Sequence, residues 1–306
     1  MTTLVFGHKS PDTDATLSAI IWAWYLTHRR GGDAEPRLLG EPNTEATFLL
    51  NHWGFAKPEI IADVAPGQNV VIVDTNNPAE LPPGINDANI LEIIDHHMLV
   101  GGLKTKGPIN VVMRPLACTA TVMHGIMGAD VADLPRDIKG AMLSCILSDT
   151  LEFRSPTTTP HDRAVAEKLA ADLGIDIPSF AADMFAAKSD VAAFSDAELL
   201  RMDSKEFTVA GMELRVSVLE TTAPRVLLDR KAALMAAMPA VAVADGADQV
   251  LLFIVDILRE EATLLVPNDL VARMAEASFG VKVSGDTVVL PGVMSRKKQI
   301  IPVLKL

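Results

Sequence analysis

The chain has few cysteines, no long apolar run and little basic charge. Cys118 and Cys145 are the two cysteines among 306 residues, and we expect both to be reduced core thiols in a cytosolic protein. The apolar run at 250–255 ends at Asp256, far short of the roughly 20 residues that a membrane-spanning helix requires. These absences exclude a disulfide-linked scaffold and predict that the protein has no membrane partner.

Signals for export and for nucleic-acid binding are also missing. Met1-Thr2-Thr3 carries no basic segment followed by an apolar one, so we expect a cytoplasmic location. The formal net charge is −12, with 27 lysine and arginine residues against 39 acidic ones. Because neutralising phosphates requires clustered basic side chains, this balance predicts no nucleic-acid partner.

Apolar runs alternate with helix-like stretches over residues 3–112. This alternation predicts βαβ units and a mainly parallel sheet flanked by helices, an α/β fold. Later segments predict helices at 118–127, 135–147, 160–173, 178–187, 222–238 and 268–277, and strands at 205–209, 212–219, 249–257 and 262–266. We therefore predict a first domain over 1–187, a linker over 188–194 and a smaller mixed α/β domain over 195–306.

Four short groups of polar side chains interrupt this pattern, and three of them directly follow apolar strand-like runs. The groups are His8-x-x-x-Asp12-x-Asp14, Asp74, Asp95-His96-His97 and Ser148-Asp149-Thr150. Ligands of open α/β sheets bind at the carboxyl ends of the strands. We therefore expect these groups to form one site for two divalent metals.

Each group also has an ordinary structural explanation. Asp12 is typical of a helix cap, Asp14 of a first-turn acid and Asp74 of a turn. The set as a whole favours metal binding, because carboxylates and imidazoles suit Mn, Co, Mg or Zn. Adjacent histidines point to different sides of an extended chain, so one of His96 and His97 can bind metal while the other faces substrate.

The predicted ligands also suggest a reaction class. Among so many acids, one carboxylate must bridge the ions to limit charge repulsion. Two ions about 3.5 to 4 Å apart are the arrangement used for in-line phosphoryl displacement, with a bridging hydroxide as nucleophile.

The ordered groups, together with the segment Ser295-Arg296-Lys297-Lys298-Gln299, resemble the family II, manganese-dependent inorganic pyrophosphatases of the DHH phosphoesterase superfamily. The Asp-His-His triplet is typical of the superfamily, and the C-terminal segment is specific to the pyrophosphatase branch. This resemblance covers nearly the whole chain. It implies an inorganic diphosphatase that hydrolyses pyrophosphate to two phosphates, built as a cytoplasmic homodimer with an N-terminal DHH domain and a C-terminal DHHA2 domain.

The resemblance also implies roles for particular residues. Two Mn²⁺ ions, with Co²⁺ as a substitute, would be the cofactors, and additional Mg²⁺ or Mn²⁺ would arrive with the substrate. The implied metal ligands are His8 and Asp12 for one ion, Asp14, His96 and Asp149 for the other, and Asp74 as the bridge between them. The implied substrate ligands are His97, which is also a candidate proton donor, and Lys205, Arg296 and Lys297 from the second domain.

One segment departs from the family pattern. Where the family commonly has Asp-His-Asn-Glu, this chain has Asp74-Thr75-Asn76-Asn77, so a histidine and an acid near the bridging aspartate are missing. We expect the departure to act on metal affinity and metal preference, since partners behind the ligands tune their basicity.

Two other functions remain as alternatives. A related exopolyphosphatase, or an exonuclease acting on very short oligonucleotides, would share the metal site, but those relatives typically carry a Gly-Gly-Gly-His motif that this chain lacks. A catalytically idle metal- or phosphate-binding regulator would have little physical reason to keep all six ligands together.

Overall fold

A computed structural model of the chain describes residues 1–189, 191–192 and 194–306, without the side chains of Lys297 and Lys298. The chain divides into two compact units, an N-terminal unit of Met1–Lys188 and a C-terminal unit of Ser189–Leu306. The predicted domain limits at 187 and 195 stay predictions. So does the linker over 188–194, because Asp190 and Ala193 lie outside the described residues.

The N-terminal unit is built on a six-stranded parallel sheet. Its strands are β1 (Thr3–Phe6), β2 (Ala34–Leu38), β3 (Glu59–Ile60), β4 (Asn69–Val73), β5 (Asn89–Asp95) and β6 (Asn110–Met113). Its helices are α1 (Thr13–His28), α2 (Thr44–Trp53), α3 (Thr119–Met127), α4 (Arg136–Asp149), α5 (Pro160–Leu173) and α6 (Ile177–Lys188).

The strand order of this sheet is β3-β2-β1-β4-β5-β6, so its direction of growth reverses between β1 and β4. Such a reversal leaves a crevice at the carboxyl ends of the two strands, which is the usual ligand position in doubly wound sheets. The chain leaves β1 at Phe6 and β4 at Val73. His8 and Asp74 are therefore placed at this crevice by the topology alone.

Helix α1 packs against β1, β2, α3 and α4. The side chain of Trp22 is fully buried within α1, and Val70 to Val73 of β4 are buried as well. Burial of the strand interior explains why β4 is a continuous apolar run, as expected for a parallel strand covered on both faces. The carboxyl-end residues are thus carried on well-packed elements.

The C-terminal unit contains a five-stranded sheet in the order β11-β10-β9-β8-β7. Its elements are α7 (Asp196–Met202), β7 (Ser204–Val209), β8 (Met212–Thr221), α8 (Pro224–Leu228), α9 (Lys231–Ala244), β9 (Gln249–Asp256), β10 (Glu261–Leu265), α10 (Asp269–Phe279) and β11 (Thr287–Pro291). β8 and β9 pair in parallel and the other neighbouring strands pair antiparallel. The sheet is therefore mixed, and the predicted fold class of both domains is confirmed.

The prediction of a single helix over 222–238 is wrong. Its residues form α8 and the start of α9, separated at Asp229-Arg230. The guanidinium of Arg230 donates to Asp196 Oδ1 at 2.7 Å and to the carbonyl oxygen of Val191 at 2.9 Å. These contacts fix a non-helical backbone at Arg230, which the apolar periodicity did not reveal.

Several short elements, β2, α2, α7 and β11 among them, were not predicted. β2 contains Pro36 and charged residues, so it lacks the apolar run of a buried strand. Among the helices of the described residues, none is both long and apolar enough to cross a membrane.

Candidate metal centre

The first ligand group lies on the turn that joins β1 to α1. Gly7 lets this turn pass close to the helix, since a Cβ added to Gly7 would lie 2.7 Å from the Cβ of Ala15. Asp12 caps α1 by accepting a hydrogen bond from the backbone nitrogen of Ala15 at 3.0 Å. Asp14 follows in the first helical turn and is buried. The helix-cap and metal-ligand interpretations of Asp12 are therefore compatible.

Asp74 lies at the centre of the site. It directly follows β4, is 1% exposed and has a positive φ of 59°. Its Oδ2 lies 3.5 Å from Nε2 of His8, and its Oδ1 lies 3.3 Å from Nε2 of His96. Two ligand atoms on adjacent positions of one octahedral ion, each about 2.1 Å from it, are roughly 3 Å apart. Each pair is thus spaced to share a cation.

His96 and His97 follow β5 and are held in different ways. Nδ1 of His96 is 3.1 Å from the carbonyl oxygen of Leu116, which leaves Nε2 to face Asp74 and, at 4.0 Å, Asp149. Nδ1 of His97 bonds instead to Asp95 Oδ1 at 2.9 Å, and the His97 side chain is 52% exposed. The two histidines therefore have different partners, and the expected division of roles between them stays a prediction.

Asp95 supports the two histidines and is not itself placed among the candidate metal ligands. It is fully buried at the end of β5, and its Oδ1 accepts hydrogen bonds from the backbone nitrogens of His96 and His97. Its Oδ2 accepts a bond from Nδ2 of Asn76 at 2.6 Å. Asp95 therefore orients His97, a role that the triplet in the sequence could not distinguish from metal binding.

Asp149 is the last residue of α4. The three residues that follow the cap at Thr150 all have left-handed φ values: 48° for Leu151, 53° for Glu152 and 69° for Phe153. Such a conformation costs non-glycine residues roughly 1–2 kcal/mol each. The helix that carries Asp149 thus ends abruptly in a turn that neighbouring contacts must hold.

These side chains come together as groups whose ligand atoms lie within 4.8 Å of one another. The groups are His8, Asp12 and Asp74; Asp14, His96 and Asp149; and Asp74, His96 and His97. All six predicted metal ligands therefore lie at one centre. Asp74 joins the groups, because its carboxylate adjoins both His8 and His96.

Thr119 also contacts this centre, although sequence reasoning did not single it out. At the start of α3, its backbone nitrogen donates to Asp14 Oδ2 at 2.6 Å and its hydroxyl donates to Asp74 Oδ1 at 3.0 Å. The helix N-terminus adds a favourable dipole for these acids. A threonine at a helix start is so common that the sequence carried no signal for this role.

The charges of the centre are unbalanced. Burial, followed by the charge of Asp74, raises the pKa of Asp14 to about 7, and burial together with Asp14 raises the pKa of Asp149 well above its usual range. Burial disfavours charged histidines, but the carboxylates outweigh it and raise the pKa of His8 to about 10 and of His96 to about 9. Burial alone would raise the pKa of Asp74, but the hydrogen bonds and charges of His8 and His96 outweigh it, so the pKa is lowered.

This electrostatic arrangement fits divalent cations. Crowded carboxylates hold protons when nothing else offsets their charge. Two divalent ions would replace those protons, and a set of oxygen and imidazole donors suits Mn²⁺ better than softer metals. The residues present therefore fit the pair of divalent metal ions that the sequence predicted.

The loop that departs from the family pattern is internally bonded. The hydroxyl of Thr75 donates to Glu80 Oε2 at 2.6 Å, and Oδ1 of Asn77 accepts a bond from the backbone nitrogen of Ala79. A pocket of about 630 Å³ is lined by this loop and by His8 and His97. Glu80 thus supplies an acid three positions after Asn77, which local sequence comparison did not identify.

The predicted substrate ligands Lys205 and Arg296 line a pocket of about 640 Å³ in the C-terminal unit. Lys205 is exposed on β7, and Arg296 begins a single π-helical turn, Arg296–Ile300. The guanidinium of Arg296 donates to Oδ1 and to the carbonyl oxygen of Asp203, both at 2.7 Å. The side chain of Lys297 lies outside the described residues.

Comparison with known proteins defines the class of the chain first. Residues 2–148 match the DHH family, N-terminal domain, and residues 182–306 match the DHHA2 domain. This pairing agrees with the two units described above.

Full-length relatives then define the family. A Deinococcus radiodurans protein named as a probable manganese-dependent inorganic pyrophosphatase is 40% identical, covering 98% of this chain and 97% of its own. One of the same name from Lactobacillus gasseri is 35% identical with the same coverage. The chain belongs to the family II, manganese-dependent inorganic pyrophosphatases, as its motifs predicted.

Solved structures agree. A crystal structure of a Methanococcus jannaschii protein assigned to the family II inorganic pyrophosphatases matches with a TM-score of 0.61 and 35% identity, over 98% of this chain and 97% of that one. An exopolyphosphatase-related protein from Bacteroides fragilis matches with a TM-score of 0.52 and 11% identity, over 98% of this chain and 89% of that one. The second likeness shows a shared fold.

Proposed function

We propose that the protein hydrolyses pyrophosphate to two phosphates at two bound divalent metals. The position of Asp74 carries this proposal, because its two carboxylate oxygens face His8 and His96 from within two adjoining ligand groups. A single carboxylate placed in this way is what a two-metal phosphoryl-transfer site requires. The names of the full-length relatives support pyrophosphate as the substrate and Mn²⁺ as the metal.

The proposed ligands are His8, Asp12 and Asp74 for one Mn²⁺, and Asp14, His96, Asp149 and Asp74 for the other. Two ions held in this way would supply Lewis-acid chemistry, and in this proposal a hydroxide between them would be the nucleophile. Burial of Asp14 and Asp74 keeps water from competing for the carboxylates. The ligands in this scheme are positioned before substrate arrives.

His97 is proposed to contact the phosphates and to donate a proton to the leaving group. Its hydrogen bond with Asp95 raises its pKa, so the protonated form is favoured. The same bond occupies Nδ1 and leaves Nε2 of a half-exposed ring for the substrate. A positioned imidazolium of this kind is an effective general acid.

Lys205, Arg296 and Lys297 are proposed to hold phosphate oxygens. For Arg296 the support is the fixed plane of its guanidinium against Asp203, since a planar fork can pair two phosphate oxygens. Cobalt as a substitute metal, an additional Mg²⁺ or Mn²⁺ with the substrate, a cytoplasmic location and a homodimer complete the proposal.

Phosphate release tests this function directly. Chelator-treated protein would receive Mn²⁺, Co²⁺, Mg²⁺ or Zn²⁺ singly, with pyrophosphate, tripolyphosphate or a dinucleotide as substrate. We expect the fastest release from pyrophosphate with Mn²⁺ or Co²⁺. Asp149→Asn should lose this activity, whereas Asp183→Asn, on an exposed position of α6, should keep it.

The other outcomes identify the alternatives. Faster release from tripolyphosphate would favour an exopolyphosphatase, and cleavage of the dinucleotide would favour an exonuclease. Tight metal binding without hydrolysis of any substrate would favour a regulator and would overturn the proposal.

A further inference from the structure

Glu45 is a fully buried carboxylate on α2 that belongs to none of the ligand groups. Its Oε2 accepts hydrogen bonds from the hydroxyl of Thr13 at 2.7 Å and from the hydroxyl of Ser148 at 2.6 Å. Among the described side chains, none donates a hydrogen bond to its other oxygen, Oε1. Burying a carboxylate with incomplete pairing is costly, so a purely structural explanation is weak.

The two donors are chain neighbours of proposed metal ligands: Thr13 lies between Asp12 and Asp14, and Ser148 lies next to Asp149. Thr13 directly precedes Asp14 at the start of α1, and Ser148 directly precedes Asp149 at the end of α4. One oxygen atom therefore holds the ends of two helices that are far apart in sequence. Asp14 and Asp149, brought forward by those ends, lie in the same ligand group as His96.

Lys188 extends this arrangement. Its Nζ lies 3.5 Å from the same Oε2, and it is the last residue of α6. The ammonium partly offsets the buried charge of Glu45. The cluster is thus a defined network of one carboxylate, two hydroxyls and one ammonium.

We propose that Glu45 is a positioning residue that sets the separation of Asp14 and Asp149, and thereby the affinity for the metal ion that they share with His96. The inference rests on the metal ligands assigned under the proposed function. Asp12 also adjoins Thr13, but it shares one continuous segment with His8, so the spacing of His8 and Asp12 does not depend on a link between helices. Glu45 should therefore act on one of the two ions.

The test is calorimetric titration of the metal-stripped full-length protein with Mn²⁺, which needs no catalytic activity. Glu45→Ala removes the shared acceptor and should weaken one of two binding steps by roughly 10-fold, the lower end of the effect of removing a direct partner of a ligand, because Glu45 bonds to the neighbours of the ligands. Ser148→Ala, a milder change, should weaken the same step by a smaller factor. Glu45→Gln keeps an acceptor oxygen at the same reach and should restore most of the loss.

Glu92→Ala is the matched control. Glu92 is also a buried carboxylate of the N-terminal unit, and it accepts a bond from Nε1 of Trp22 at 2.9 Å and pairs with Arg30. The Glu92→Ala variant should lower the melting temperature without changing the affinity of either Mn²⁺ binding step.

Three outcomes would overturn the inference: parent-like Mn²⁺ binding by Glu45→Ala and Ser148→Ala, equal weakening of both steps, or the same weakening in Glu92→Ala. If the parent protein binds two Mn²⁺ but releases no phosphate from pyrophosphate, the proposed function fails while the role of Glu45 is still decided by these titrations. If the parent binds no Mn²⁺, both fail.

Discussion

Replacement of the central aspartate, Asp74→Asn, provides the sharpest test of the two-metal site. The change keeps the size of the side chain and removes its charge. The carboxylate oxygens of Asp74 lie 3.5 Å from Nε2 of His8 and 3.3 Å from Nε2 of His96, so both proposed ions would lose a carboxylate ligand at once. The loss should therefore affect both binding steps.

The size of the effect follows from this double role. Removing a partner behind a metal ligand costs about 10- to 100-fold in affinity, so removing the ligand itself should cost at least about 100-fold per ion and on the order of 10⁴ for the two together. His8→Gln removes a ligand from one group and should cost about 100-fold at one step. The bridging residue is thus expected to matter more than a terminal one.

The measurement is metal content by elemental analysis after dialysis, combined with the rate of pyrophosphate hydrolysis at saturating Mn²⁺. Parent-level activity of Asp74→Asn with two Mn²⁺ still bound would refute the reasoning. A loss no larger than that of His8→Gln would show that Asp74 serves one ion.

Three further predictions concern the histidines and the arginine. His96→Gln should lower the metal content, whereas His97→Gln should leave the metal content nearly intact and lower the rate; equal metal loss in both would contradict the division between them. Arg296→Lys should raise KM or lower kcat although charge is kept, because lysine cannot form the planar fork; unchanged kinetics would remove Arg296 from the substrate contacts. Mn²⁺ affinity should rise with pH below the raised pKa values of His8, about 10, and His96, about 9, because metal ligands must be deprotonated. Calorimetry in buffers of different ionisation enthalpy should detect proton release on binding, and an absence of release would contradict this assignment.

The positions of the proposed ligands were predictable because each belongs to a short local pattern. His8, Asp74 and His96 follow strands whose apolar runs are visible in the sequence, and parallel strands bring their carboxyl ends to one edge. The periodicity of the chain also predicted α5 with the bounds observed, Pro160–Leu173. Apolar runs and periodicity were therefore sufficient to predict an element wherever buried residues recur regularly along it.

Residues behind the ligands were not predictable, because their contacts cross large distances along the chain. Thr119 is 105 positions from Asp14, and Ser148 is 103 positions from Glu45. Neither residue type is unusual at a helix end. The prediction of a single helix over 222–238 failed for the same reason, since Arg230 is fixed by Asp196, 34 positions away.

The left-handed turn Leu151–Phe153 bears on how the chain tolerates changes in length. A glycine at any of these three positions would relieve local strain, because glycine adopts left-handed φ values without the steric cost of a Cβ. An inserted or deleted residue within α4, however, would rotate Asp149 about the helix axis by roughly 100°, the angle between successive residues of an α-helix, whereas one placed after Phe153 would leave Asp149 where it is. A change within α4 would move the carboxylate of Asp149 out of the centre, so variation in length among functional relatives should lie beyond this turn and not in the helix before it.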